Sequence, residues 1–413
     1  MTVPKIRFKG FEGDWQKCNL GDVTSIRGGY AFQSSQFQKQ GIPIVRISNL
    51  LQDGNVGGEY ACYPKIDGDS NVTLHAGDVV IAMSGATTGK IARVKNHEGT
   101  LYQNQRVGLF VRTNKVDYNY LYSIVNSIRF SESLNKLLAS SAQPNASSSD
   151  IESVEMCFPI NREEQEYLGE YIRFFDSLIQ CTAKKITSLK QTKQACLQSM
   201  FPQPGETTPR IRFKGFEGKW EKVQIGKLGD TYSGLTGKSK SDFGSGKAQY
   251  ITFLNVLTNA HIDTTIFDSV DVKVGERQNA VLKGDILFNT SSETPEEVGL
   301  CSVLMDDVEN LYLNSFCFGF RPYADAIHAE FLVYLMRSNI GRSIMKILAQ
   351  GATRYNLSKK RLCEATITAP ASREEQQQIA AFFSNMDKQI RIQEQRLEKL
   401  KQIKAACLEN MFV

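Results

Sequence analysis

Two stretches of the chain repeat one another over their whole length, and they restrict what the rest can fold into. Residues 162–201 read REEQEYLGEYIRFFDSLIQCTAKKITSLKQTKQACLQSMF, and residues 373–412 read REEQQQIAAFFSNMDKQIRIQEQRLEKLKQIKAACLENMF, aligning without a gap at an offset of 211. Lys, Gln, Leu and Ala dominate both, and neither second half contains Pro or Gly; this is helix-forming composition. Apolar residues recur at alternating spacings of four and three: Leu168, Ile172, Phe175, Ile179, Ile186, Leu189, Cys196 and Met200 in the first copy, and Ile379, Phe383, Met386, Ile390, Leu397, Leu400, Cys407 and Met411 in the second. That is a heptad seam. Polar residues interrupt it at matching places, Thr182/Gln393 and Lys193/Lys404. The spacing predicts two long helices of about 60 Å each, packed on one another.

The duplication extends beyond the helices. PKIRFKGFEGDWQK at residues 4–17 returns as PRIRFKGFEGKWEK at 209–222. Tyr102, Asn104, Asn145 and Pro159 have counterparts in Tyr312, Asn314, Asn356 and Pro370. The segments between opening motif and helix diverge strongly, which reads as two modules doing one job on different targets. The Pro-rich junction 202–209 is a short stiff linker. The chain starts and stops within equivalents of that junction, so its N- and C-termini are expected near each other beside the helices.

Each variable region reads as mixed α/β. Short β-branched runs flanked by Gly, Asn and Asp predict strands at 42–47, 78–83, 90–94 and 107–111, and again at 249–254, 285–288, 301–304 and 316–320. Helical spacing covers 118–139 and 329–348. A Ser/Asn/Gly-rich loop follows each, at 140–149 and 350–358, and a last strand leads into the proline before the long helix.

Familiar catalytic constellations are missing. The four His stand at no metal-ligand spacing with Cys, Asp or Glu. Gly85-Ala86-Thr87-Thr88-Gly89-Lys90-Ile91 is one residue short of a phosphate loop, and Ile91 replaces the magnesium-binding hydroxyl. Neither a dinucleotide fingerprint nor a nucleophile elbow occurs. Nine cysteines without a C-x-x-C pair, no secretory leader and no long apolar run predict a cytoplasmic protein with reduced thiols. The net charge of +5 is compatible with nucleic-acid binding.

The duplicated W-x-x-x-x-L/I-G-D/K motif (Trp15–Asp22 and Trp220–Lys227), the Gly-Asp strand starts (Gly77-Asp78 and Gly284-Asp285) and the two R-E-E-Q helices resemble, in order and in duplication, the specificity subunit of type I restriction-modification systems. The resemblance covers nearly the whole chain. It implies an α/β (α+β) fold of two pseudo-twofold-related mixed α/β target recognition domains, separated by an antiparallel pair of long coiled-coil helices. The implied boundaries are residues 1–160 and 210–371 for the recognition domains, 161–201 and 372–413 for the helices, and 202–209 for the linker. Such a subunit is not itself an enzyme and holds no cofactor or metal. It reads an asymmetric, bipartite double-stranded DNA target, one half-site per domain. Two methyltransferase subunits and restriction subunits dock on it, and S-adenosylmethionine, ATP and magnesium belong to those partners. The spacing of half-sites is expected near one turn of duplex, about 34 Å.

Directional donors and acceptors on loops are what base reading requires. In the first domain these are Ser84, Thr87, Thr88, Lys90, Gln103, Gln105, Arg106, Gln143 and Asn145. In the second they are Asn289, Thr290, Ser291, Ser292, Arg354, Tyr355 and Asn356, with Lys359, Lys360 and Arg361 toward phosphates. The repeated F-K-G-F-E-G motif is too alike in both halves to encode different targets and belongs to a common frame. A competing reading is a duplicated coiled-coil adaptor that bridges two protein partners without touching DNA.

Overall fold

The computed structural model describes residues 3–95, 97, 99–139, 145–351 and 353–413. Contacts divide it into two compact units, residues 1–183 with 395–413, and residues 184–394. Each unit therefore takes half of each long helix.

In the first unit the repeated motifs fold into a buried polar joint. The Glu164 carboxylate is 1 % exposed. It accepts two hydrogen bonds from the Arg7 guanidinium, at 2.7 and 2.8 Å, and one from Trp15 Nε1 at 3.3 Å. Arg7 also donates to the carbonyls of Gly13 and Glu12, closing the opening motif on itself. Gln165 finishes the joint: its Oε1 accepts from the Asp117 amide and its Nε2 donates to the Pro159 carbonyl. The second unit repeats every bond, with Glu375 between Arg212 and Trp220, and Gln376 between His328 and Pro370. Burying a carboxylate is tolerable only when it is paired. This is why R-E-E-Q and I-R-F-K-G-F-E-G recur together. Their Phe8 and Phe213 rings pack edge-on against Tyr171 and Phe382 of the helices.

Two four-stranded sheets make up the first variable region. One runs Ile26–Arg27, Val107–Phe110, Val79–Ala82, Ile91–Arg93, antiparallel throughout. The other runs Ala61–Tyr63, Ile42–Val45, Leu101–Gln103, Thr73–Leu74, and its central pair is parallel. The second unit has the same first sheet, built from Gly229–Ser233, Cys317–Pro322, Ile286–Asn289 and Cys301–Val303. Its other sheet has three strands, Asp268–Val270, Phe243–Ile251 and Leu311–Leu313, again with one parallel pair. A further antiparallel pair in each unit joins the strand after the tryptophan to the strand before the long helix: Gln16–Asn19 with Glu155–Phe158, and Glu221–Gln224 with Thr366–Ala369.

The sequence-predicted strands fall on observed ones, with two partial exceptions: the strand expected at 42–47 ends at Val45, before a 3-10 turn at Ile47–Asn49, and the strand expected at 249–254 is also cut short. Residues 253–258 form a short helix capped by the Thr252 hydroxyl, so the strand expected at 249–254 ends at Ile251. The single helices expected at 118–139 and 329–348 are each two: Tyr118–Val125 and Ile128–Leu138, Ala329–Arg337 and Asn339–Leu348. Ser127 and Ser338 cause the breaks. Their hydroxyls accept from the amides of Phe130 and Gly341, starting a new helix in a new direction.

The long helices span Arg162–Ser199 and Arg373–Asn410. Part of the seam is buried, Leu168, Ile172, Phe175 and Ile186 on one helix and Ile379, Phe383, Met386 and Ile390 on the other, while Ile179, Leu189, Leu397 and Leu400 are half-buried. Within the first unit, Lys404 meets Asp176 at 2.5 Å. Within the second, Lys193 meets Asp387, whose other oxygen accepts from the Tyr334 hydroxyl at 2.8 Å. The early part of each helix thus packs on the late part of the other, which is antiparallel pairing. The lysines that interrupt the heptad are answered by aspartates at matching positions.

Each helix end is stitched to the start of an opening motif. The Ile211 amide donates to Ser199 O at 2.9 Å in the second unit, and the Ile6 amide donates to Asn410 O at 3.0 Å in the first. The second bond brings the first and last parts of the chain together, as expected. Phe412 and Phe201 then enter equivalent cores, against Tyr120 and against Trp220, Phe331 and Phe383.

Candidate nucleic-acid interface

One hydrogen-bond ladder assembles three separate segments of each unit at the same strand ends. In the first unit the Met83 amide donates to Arg106 O, and Met83 O accepts from the Ala146 amide, both at 2.9 Å. In the second, the Thr290 amide donates to Phe316 O at 3.0 Å, and Thr290 O accepts from the Leu357 amide at 2.8 Å. Ser291 and Ser292 continue this ladder by pairing with Asn356 and Tyr355. The turn that supplies Arg106 or Phe316 is built alike in both. Asn104 Oδ1 accepts from the Arg106 amide at 3.1 Å, and Asn314 Oδ1 from the Phe316 amide at 2.9 Å. Gly29 and Gly234 cross so close behind it that a Cβ on either would overlap the carbonyl oxygen of Asn104 or Asn314.

The sequence-predicted residues separate into two groups. Thr87, Gln105, Arg106 and Asn145 are exposed around the first ladder, with Ser84, Thr88 and Lys90 half-buried. Arg354 and Asn356 are exposed around the second, with Thr290, Ser291 and Tyr355 half-buried. Lys360 projects outward; Lys359 is half-buried, its Nζ 2.7 Å from the Ser233 hydroxyl, and Arg361 donates to Leu348 O. Gln143 lies outside the described residues.

Three expectations are corrected. Gln103 is 0 % exposed; its Oε1 accepts from Arg27 at 2.9 and 3.1 Å, and its Nε2 donates to the carbonyls of Arg27 and Val107. Asn289, also 0 % exposed, donates to Glu297 O. Ser292 is 7 % exposed and bonds the Glu297 carboxylate at 2.9 Å. Gln103 and Ser292 have their polar groups enclosed and paired within the loop, and Asn289 is enclosed with its amide nitrogen paired while its Oδ1 has no partner among the described residues. Sequence reasoning also missed Phe316, 60 % exposed at the position equivalent to Arg106. The matching Asn104 and Asn314 were the signal that could have found it.

The guanidinium of Arg27 is depressed by burial, and donates to Thr73 O as well as to Gln103. Burial pushes the thiols of Cys301 and Cys317 up to about 12, which leaves them inert as nucleophiles. Gly85–Thr87 is a single 3-10 turn followed by the strand Ile91–Arg93, where a phosphate loop would open a helix. Among the described residues no cluster of His, Cys, Asp or Glu could hold a metal ion, and no helix is long and apolar enough to cross a membrane.

Comparison with known proteins gives this arrangement a context. The family model of the type I restriction modification DNA specificity domain matches residues 12–191 and again 217–402. The chain is 26 % identical over 208 residues to the type I restriction enzyme MjaVIII specificity subunit of Methanocaldococcus jannaschii, which covers 49 % of this chain and 47 % of that protein. It spans about half the length or less of the curated relatives it matches. The fold is similar to a crystal structure of the type I restriction-modification S subunit from M. genitalium, with a TM-score of 0.62 at 15 % identity, covering 100 % of this chain and 99 % of that one. It is also similar to a chain from a structure concerned with complex assembly and conformational transition of the type I R-M system, with a TM-score of 0.52 at 16 % identity over 95 % of this chain and 96 % of that one.

Proposed function

Since the chain belongs to the family of type I restriction-modification DNA specificity subunits, carrying its domain twice, we propose that it reads an asymmetric, two-part DNA sequence for partner subunits that act on the DNA. Each unit contributes one half-site through its ladder of loops. The observation that carries this reading is a shared frame presenting different side chains. The backbone bonds made by Met83 and Thr290 agree, yet at the equivalent exposed position one ladder displays Arg106 and the other Phe316. Equivalent scaffolds with unlike tips suit two unlike half-sites. The heptad seam of the paired helices sets the number of unread base pairs between them. Methyltransferase subunits, with S-adenosylmethionine, and restriction subunits, with ATP and magnesium, dock on the shared frame, and the chain itself performs no catalysis.

Titrating the chain with its methyltransferase partner against random-sequence duplexes across salt concentrations tests the DNA role. Phosphate neutralisation predicts that log K falls linearly with log salt, by roughly 0.9 per phosphate contacted. A flat salt dependence would instead support an adaptor that binds only proteins.

A further inference from the structure

The two ladders differ most at one position whose backbone is the same in both units. Arg106 and Phe316 each sit two residues after an asparagine that caps their amide. Each offers its carbonyl to the residue following a central strand, Met83 or Thr290. Both side chains are exposed, and the Phe316 ring stacks on no aromatic ring among the described residues. Beside it the ladder carries the polar Thr290, Ser291 and Asn356, with Leu357 buried and Tyr355 half-buried. Arginine at a groove-facing position donates to the O6 and N7 acceptors of guanine. Phenylalanine has no donor, and the one apolar feature a base pair shows in the major groove is the thymine C5-methyl group.

We infer that Arg106 and Phe316 are equivalent specificity-determining positions, Phe316 selecting a thymine through its methyl group and Arg106 a guanine in the other half-site. The inference rests on the proposed function and adds base identity to it. Burying a methyl-sized group against the ring gives about a four-fold preference. Loss of the arginine contact costs about ten-fold or more at its base pair.

The test uses the full chain with its methyltransferase partner and duplexes carrying the motif methylated in the host. Each thymine is replaced in turn by uracil, which removes only the methyl group. At one thymine, wild type should bind the uracil duplex about four-fold more weakly. Phe316→Ala should bind both forms alike, and Phe316→Leu should retain the preference. Arg106→Ala should lose discrimination at one guanine in the opposite half, and Phe316→Ala should keep that discrimination, which certifies its folding. If no thymine shows a methyl preference that disappears in Phe316→Ala, or if that variant weakens binding to all duplexes equally, the inference fails while the proposed function stands. If wild type binds the motif no better than random duplex, both fail.

Discussion

Glu164 and Glu375 are enclosed carboxylates whose charge is matched by a single arginine each. Arg7→Ala or Arg212→Ala should therefore destabilise its own unit by about 3–5 kcal/mol in urea denaturation, because the carboxylate is left buried and unpaired. Pairing Arg7→Met with Glu164→Gln should recover much of that loss. His328 supplies a pH signature. Burial lowers its imidazole below 6.5, with Arg373 adding to the effect and Glu330 opposing it, and Nδ1 has no partner among the described residues. A depressed folded value means the unfolded chain binds the proton first. The stability this contributes is present above pH 6.5 and is lost as pH falls through the folded value. The urea midpoint should drop more steeply with acidification in wild type than in His328→Gln. At this scale the sequence was half legible. Arg106, Asn145, Arg354 and Asn356 lie exposed where loop composition pointed. Gln103 and Asn289 look the same in a string of letters, and only their enclosed hydrogen bonds separate them.

The paired helices were the most legible element, since a heptad seam is a local pattern with one good packing solution. Lys193 and Lys404 looked like defects in that seam until Asp387 and Asp176 were found opposite them. Each pair is partly exposed, so Lys193→Ala should cost about 1 kcal/mol. Lys193→Asp should cost more by setting two aspartates together, and Asp387→Lys added to it should restore most of the stability. A double-mutant cycle by chemical denaturation measures this. Elements held by distant partners were less legible. Apolar periodicity continues through Asn126 and Ser127, so the turn there was hidden, although the serine is a common helix starter. The pairing of Ser291 with Asn356 joins residues 65 positions apart, which no local pattern encodes.

For the whole molecule, duplication fixed the architecture: two frames built from the same polar joint, each carrying its own loops. What the repeat could not reveal is which side chains each ladder presents, since Arg106 and Phe316 differ on equivalent backbones. Exchanging residues 84–88, 105–106 and 145–146 of the first unit for those of a related chain with another target should alter one half of the recognised sequence. The other half and the gap should be unchanged. Two separate readers on one frame can be checked by sequencing methylated bases in DNA from cells that express this exchanged chain, or the wild type, with the methyltransferase partner. A bipartite, asymmetric motif that changes in one half only is the expected result. A single uninterrupted motif, or one that changes in both halves together, would contradict it.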